Sequence, residues 1–109
     1  MASSKDYLLF VLECLSEVEG ISYRRMMGEY VLYMHGKVAA FICDDRLLVK
    51  NVPAAHRVLQ NPPMQKLFEG SKDMIFIEDV ENMALMAELF EAIYPELPEP
   101  KPKKRRSTK

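Results

Sequence analysis

Residues 24–50, which read RRMMGEYVLYMHGKVAAFICDDRLLVK, constrain the fold more than any other part of the chain. Residues 30–34 are almost wholly apolar, with aromatic and β-branched types, and residues 38–43 are apolar at every position. Both runs fit strands that are buried on two faces. His35-Gly36 between them and Asp44-Asp45 after them are two-residue connections of the kind that close tight hairpins. The stretch therefore predicts an antiparallel meander.

The segment before the meander predicts one helix and one strand. Apolar residues at three- and four-residue spacing indicate a helix that Ser3 or Ser4 caps, followed by Gly20 in a left-handed position. Residues 21–27 then predict a first strand. Gly28 interrupts its apolar pattern, which indicates a bulge or a tight bend.

The segment after the meander returns to helical spacing. Pro53 suits the first turn of a short helix, residues 74–78 predict a buried strand, and Asp79 can cap a C-terminal helix. Residues 64–70 stay undecided, because their helical spacing covers too short a segment. The predicted class is α+β, with a meander of three or four strands plus one later strand in a single antiparallel sheet. The predicted order is α-β-β-β-(β)-α-β-α, with the helices on one face.

Length and charge divide the chain into a body and a tail. The 109 residues, 49% of them hydrophobic, support one domain, which we place at residues 1–94. Residues 95–109 contain four prolines and no aliphatic side chain after Leu97, so we expect a disordered tail. The body has 9 basic and 14 acidic residues, and the tail has 6 and 2. An acidic body thus carries a basic tail.

The longest apolar runs fall well short of the ~20 residues that span a bilayer. The N-terminus lacks the features of a secretory signal, so we expect a cytoplasmic protein that is not inserted in a membrane.

The chain offers little for catalysis or for metal binding. His35, His56, Cys14 and Cys43 match no zinc-binding spacing, and the four glycines are too dispersed for a phosphate-binding loop. An acidic helix around Cys14 raises a thiol pKa rather than lowering it. We therefore expect no catalytic residue, no metal and no cofactor.

The candidate interaction surface lies at the start of the meander. In a regular strand Arg24 and Arg25 point to opposite faces, so one of them is expected near the core beside a carboxylate, with an anion contact as the alternative. Met26 and Met27 cannot both face the same side, so one can serve a partner. The surface is completed by Tyr30.

The tail provides a second candidate contact. Its basic residues can neutralise phosphates with weak affinity that is salt-sensitive and independent of sequence, or they can simply solubilise the chain. These residues are Lys101, Lys103, Lys104, Arg105 and Arg106.

The meander resembles the N-terminal domain of the TfoX/Sxy family of bacterial competence regulators. The pattern is R-x-M-M-G-E-Y-x-L-Y, then G-K-V, then D-D-R-L-x-V-K, and it is carried here by Arg24, Met26, Met27, Gly28, Glu29, Tyr30, Leu32, Tyr33, Gly36, Lys37, Val38, Asp44, Asp45, Arg46, Leu47, Val49 and Lys50. The resemblance covers residues 4–94. It implies an α+β domain with an antiparallel sheet and admits a homodimer. It transfers no catalytic residue, and the second, helical domain of full-length members is not part of this sequence.

Three functions stay open at this point. The first is a non-enzymatic regulatory or adaptor domain that acts on an unidentified protein partner. The second is a nucleic-acid-associated protein that uses the tail and the sheet arginines for phosphate contacts. The third is a small-molecule binder or an enzyme with a cleft at Arg24, Tyr30 and Asp45.

Overall fold

The computed structural model describes residues 5–26, 29–66 and 70–98. Its elements, in chain order, are α1 (Lys5–Cys14), β1 (Ile21–Met26), β2 (Glu29–Met34), β3 (Lys37–Cys43), β4 (Arg46–Val49), α2 (Pro53–Val58), β5 (Met64–Lys66), β6 (Asp73–Phe76), α3 (Met83–Ile93) and a 3-10 turn (Tyr94–Glu96). The predicted α+β class and element order are confirmed. The short strand β5 is an addition, in the segment that the sequence left undecided. None of the helices in these three ranges is long and apolar enough to cross a membrane.

The six strands form one antiparallel sheet in the order β1-β2-β3-β4-β6-β5. The first four strands pair with their neighbours in the chain, which is the predicted meander. The His35-Gly36 turn has φ of 52° at His35 and 86° at Gly36, and the Asp44-Asp45 turn has 54° at both residues. Positive φ at both central residues defines the hairpin turn that matches the twist of the strands. Both two-residue connections are thereby confirmed.

The described helices pack on one face of the sheet, as predicted. A single apolar cluster joins side chains of α1, α2 and α3 to alternate residues of the central strands, among them Leu8, Val11, Leu89, Phe90, Leu32, Ile42, Leu47 and Ile75. The opposite face, here called the helix-free face, carries a row of cross-strand partners, namely Val31, Phe41, Leu48 and Phe76. Val31 and Leu48 are buried, and the two phenylalanines are half-buried. The central strands are thus shielded on both faces.

Tyr94, at the end of α3, holds the turn between β2 and β3. Its ring centroid lies 5.3 Å from that of His35 in an edge-on contact, and Lys37 Nζ lies 4.5 Å from its centroid. The His35 N–H donates to the carbonyl of Gly20 at 2.8 Å. Gly20 has φ +81°, and a Cβ placed on it would lie 2.7 Å from His35 Cγ and closer still to two other ring atoms. Glycine is therefore required there both by conformation and by space.

Helix α3 begins later than the sequence predicts. The Asn82 side chain accepts a hydrogen bond from the Leu85 N–H at 3.1 Å, so Asn82 is the cap and the prediction of Asp79 is wrong. The reason is Val80, which is buried although it precedes the helix. Because Val80 continues the apolar spacing of α3, the sequence predicts a helix that begins earlier than the real one.

The C-terminal end of the body ties down α2. The Glu96 carboxylate accepts a hydrogen bond from the Ala54 N–H at 2.8 Å and another from Arg57 Nη2 at 3.1 Å. These bonds, with the Ala54 N–H as the larger cause, lower the pKa of Glu96. Leu97 is 4% exposed and belongs to the apolar cluster. The folded unit therefore reaches Leu97, beyond the boundary expected at residue 94, while residues 99–109 lie outside the described part.

Candidate interaction surface

Strand β1 is an edge of the sheet whose outer side carries no strand among the described residues. Its first residue, Ile21, is half-buried, and the five that follow are exposed. Tyr23 and Met26 keep 46% and 44% of their surface accessible. The opposite edge, β5, has only three residues, and Lys66 there is ion-paired with Asp73 at 3.0 Å. Of the two edges, β1 offers the longer open strand to a partner.

One hydrogen bond fixes which backbone groups of β1 point outward. The His35 N–H donates to the Gly20 carbonyl, so Gly20 and His35 form a hydrogen-bonded pair of the ladder. Such pairs alternate along an antiparallel ladder, and the register places Ile21, Tyr23 and Arg25 at the intervening positions. The N–H and C=O groups of these three residues therefore face away from β2. They can bond to an incoming strand without disturbing the sheet.

The side chains of β1 divide between the two faces of the sheet. Arg25 pairs with Tyr30 on the helix face, whereas Arg24 pairs with Val31 on the helix-free face. Tyr30 is buried, and its ring supports that of Tyr23 at a centroid distance of 6.1 Å. Of the predicted surface residues, Arg24, Arg25 and Met26 lie on the exposed strand β1. Tyr30 is buried on the neighbouring strand β2. Met27 is outside the described residues, as is Gly28, where the sequence predicts a bend or a bulge.

Two expectations about the arginines are wrong. Arg24 and Arg25 are both exposed, although one of them was expected near the core beside a carboxylate. The reason is that β1 is an edge strand, and the apolar core does not extend over either face of the sheet at these two residues. The expected cleft at Arg24, Tyr30 and Asp45 does not form as predicted, because Arg24 and Tyr30 lie on opposite faces of the sheet.

A groove runs beside β1 on the helix face. It has a volume of about 520 Å³ and is lined by Leu12, Leu15, Ser16, Val18, Ile21, Ser22 and Tyr23. Leu9, which lies on the same flank of α1 one turn before Leu12, is 50% exposed. The open strand and the flank of α1 thus form one surface that is largely apolar. We call it the β1 surface.

The Asp44-Asp45 turn brings possible metal ligands together. Ligand atoms of Glu29, Cys43 and Asp44 lie within 4.8 Å of one another. The positively charged side chain of Arg46 lies beside these ligand atoms. Its Nη2 is 3.8 Å from Cys43 Sγ and 3.9 Å from the Asp44 carboxylate. Arg46 Nε also donates to the Cys43 carbonyl at 3.2 Å. Arg46 thus offsets part of the negative charge at this turn, and Asp44 and Asp45 form the predicted two-residue connection.

Neither cysteine has the environment of a nucleophile. Burial raises the pKa of the Cys14 thiol, and Glu13 and Glu81 raise it further. Burial also raises the pKa of Cys43, against a smaller opposing effect of the hydrogen bond from Arg46. Both thiols stay protonated at neutral pH, whereas a thiol nucleophile needs a lowered pKa.

A second cleft, of about 640 Å³, opens at the far end of the sheet. Its lining includes Phe41 and Met74 of the helix-free face together with Lys50, Lys66 and Lys72. Lys66 is neutralised by Asp73, but Lys50 and Lys72 have no ion pair with a described residue. Sequence reasoning missed this basic patch, because its lysines are separated along the chain and only the sheet order brings them together.

The predicted phosphate-contacting tail residues, 101–106, lie outside the described residues.

Comparison with known proteins places the chain in context. The family model described as the TfoX N-terminal domain matches residues 13–91. An uncharacterised 12.7 kDa protein from the trpE 5′ region of Spirochaeta aurantia is 33% identical over 108 residues, which cover 98% of this chain and 94% of the relative. The search of solved structures finds no match.

Proposed function

We infer, because the chain belongs to the TfoX N-terminal domain family, that it works as a non-enzymatic regulatory or adaptor domain through contacts with other proteins. The observation that carries this proposal is the open strand β1, with five of its six residues exposed and its outer edge unpaired within the described chain.

Strand addition is the mode of recognition that β1 supports best. An extended segment of a partner can bond to the outward backbone groups of Ile21, Tyr23 and Arg25, and each hydrogen bond contributes about 0.5–1.5 kcal/mol net. Main-chain bonds of this kind provide affinity, and side chains beside the strand provide specificity. Tyr23 offers an aromatic face on the same side of the sheet as the groove, and Arg25 offers a charge next to it.

The site chemistry supports a binding role over a catalytic one. The two thiols have raised pKa values, and Arg46 lies against Cys43 and Asp44 at the Asp44-Asp45 turn. The large apolar side chains that are exposed within the described ranges, by contrast, lie on β1 and α1, namely Leu9, Phe10, Tyr23 and Met26.

Site-specific photo-crosslinking tests this proposal in cells that naturally produce the protein. A photoreactive phenylalanine analogue replaces Arg25 on β1, and a matched control carries it at Glu88, which is exposed on α3. We expect discrete protein adducts from position 25 that are absent from position 88. Adducts of equal pattern at both positions, or none at position 25, would contradict β1 as the contact surface. Mass spectrometry of the adduct also identifies the protein bound.

Sequence-independent phosphate binding is a second candidate, favoured by the basic cleft. Lys50 and Lys72 line that cleft on the helix-free face, where Arg24 is also exposed, although the body as a whole is acidic. Counterion release would make such binding steeply salt-dependent.

Fluorescence anisotropy with a random-sequence DNA duplex tests this second candidate. The intact chain is compared with a chain that ends at Pro98 and with a Lys50→Ala/Lys72→Ala variant, each at low and at near-physiological salt. Binding that survives the truncation and weakens in the double variant would support the cleft. Binding that disappears with the tail alone would assign it to residues 99–109, and no binding by any form would remove this candidate.

A further inference from the structure

We propose that a second copy of this chain occupies the outer edge of β1, so that two β1 strands pair antiparallel with Tyr23 on the twofold axis. The proposal rests on the proposed function insofar as both use β1 as a contact surface. It commits that surface to one partner, and it joins the two six-stranded sheets into one.

The phase of the ladder limits how two β1 strands can pair. Only Ile21, Tyr23 and Arg25 have outward backbone groups, so these residues must pair with one another. Two symmetric alignments overlap most of the strand. In one, Tyr23 faces Tyr23 of the second copy and Ile21 faces its Arg25. In the other, Tyr23 faces Arg25 of the second copy.

Charge decides between the two alignments. The second one sets Arg24 directly opposite Arg24 of the other copy, at a non-hydrogen-bonded position where paired α carbons are only about 4.5 Å apart. Like charges at such a position are destabilising. The first alignment places Arg24 opposite Ser22 and Arg25 opposite Ile21, so it contains no directly opposed charges. It also forms six backbone hydrogen bonds between described residues alone.

The same alignment brings opposite charges together at both ends. Arg25 lies opposite Ile21 of the second copy, and the turn that leads into that Ile21 carries the exposed residues Glu17 and Glu19. Within one chain Arg25 and Glu19 are at opposite ends of β1, where the extended stretch from Ile21 to Arg25 is about 13 Å long, and these two described residues form no ion pair. In the dimer Arg25 of one copy therefore lies near Glu17 and Glu19 of the other copy, and the twofold axis generates this contact twice.

The groove beside β1 explains what the side chains contribute. An antiparallel pair has its twofold axis perpendicular to the sheet, so both copies keep their helices on the same side. The two α1 flanks then approach each other above the Tyr23 pair, where Leu9 is half-exposed and Leu12 and Ile21 line the groove. Pairing would cover the apolar part of the β1 surface as well as its open backbone.

A charge exchange tests the register and the partner together. Sedimentation equilibrium of the intact chain should give twice the chain mass at micromolar concentrations. Arg25→Glu should raise the dimer dissociation constant by about tenfold or more, and Glu19→Arg should act in the same direction, since each turns two attractions into repulsions. The double variant Arg25→Glu/Glu19→Arg should recover the dimer. A monomeric intact chain, or no recovery in the double variant, would overturn the proposal.

A proline substitution provides an independent measurement. The Tyr23 N–H points away from β2, so Tyr23→Pro leaves the ladder of the folded monomer intact but removes two hydrogen bonds from the dimer. Tyr23→Val is the matched control, because it also loses the ring but keeps the N–H. We expect a dimer from Tyr23→Val and a monomer with a native circular dichroism spectrum from Tyr23→Pro. Equal dimerisation of the two variants would refute strand pairing.

Failure of this proposal and failure of the proposed function give different results. A monomeric chain whose position 25 still crosslinks to another protein would leave β1 as a contact surface with a different occupant. A dimer with the predicted register and no other adduct would make self-association the contact that β1 provides. Absence of crosslinks at position 25 from a monomeric chain would remove both.

Discussion

Gly20→Ala is expected to destabilise the fold by about 1.5–3.5 kcal/mol, from two contributions. Gly20 has φ +81°, and an L-residue in the left-handed region costs about 1–2 kcal/mol. The added Cβ would also overlap the His35 ring, which must move away. That ring then loses its edge-on contact with Tyr94, and such a contact contributes about 0.5–1.5 kcal/mol.

Urea denaturation followed by circular dichroism measures this free energy, and a thermal melt should shift down by about 6–28 °C for a domain of this size. Gly36→Ala is the matched control. Gly36 has φ +86°, but a Cβ there meets nothing within 4 Å. Its substitution should cost only the conformational part, about 1–2 kcal/mol.

The two substitutions separate conformation from packing. In a His35→Asn background the clash is relieved, because asparagine tolerates positive φ and its side chain is smaller. Gly20→Ala should then cost no more than Gly36→Ala. If the two glycine substitutions are equally destabilising in the natural background, the contact between Gly20 and the His35 ring does not constrain the fold and this reasoning is refuted.

Three further outcomes are expected. The lowered pKa of Glu96 means that its contribution to stability is present above its ordinary pKa and is lost as the pH falls through the lowered value, so Glu96→Gln should reduce the melting temperature at neutral pH and converge with the natural chain in acid. A chain that ends at Tyr94 should be less stable in urea than one that ends at Pro98 by at least about 1.5–3 kcal/mol, since it lacks the buried Leu97, whereas the Pro98 form should match the intact chain. Asn82→Ala should cost about 0.5–2 kcal/mol through loss of the α3 cap, and Asn82→Asp should retain most of the stability; equal losses from both would argue against the cap.

Local patterns in the sequence were sufficient for the meander. The connections at His35-Gly36 and Asp44-Asp45 could be predicted because a two-residue hairpin demands positive φ, which glycine and aspartate adopt more readily than most residues. The order of the elements followed from the same kind of local pattern. Strand β5 could not be predicted, because three residues do not establish a period and the surrounding apolar spacing is helical.

Long-range features left no local signal. The bond between Glu96 and the start of α2 joins residues 42 positions apart. No pattern within either segment points to the other, and this is why the body was expected to end too early.

The candidate surface could be predicted only in part. Residues Arg24, Arg25 and Met26 were selected from the sequence, but strand alternation alone does not distinguish an edge strand from a central one. The exposure of both arginines therefore required the sheet order, as did the meeting of Lys50 and Lys72 in one cleft.

The order of strands in the sheet also has a consequence for folding kinetics. From β1 to β4 each strand pairs with its neighbour in the chain, so the meander closes only short loops and pays little entropy to form. The pairing of β4 with β6 and the docking of Glu96 close much longer loops, so we expect both to form at a later stage of folding. Substitutions in the meander turns should then slow refolding, whereas substitutions at Glu96 should mainly speed unfolding. The contacts of the C-terminal segment at Glu96 would thus control the unfolding rate and the lifetime of the native state, and the meander would control the folding rate.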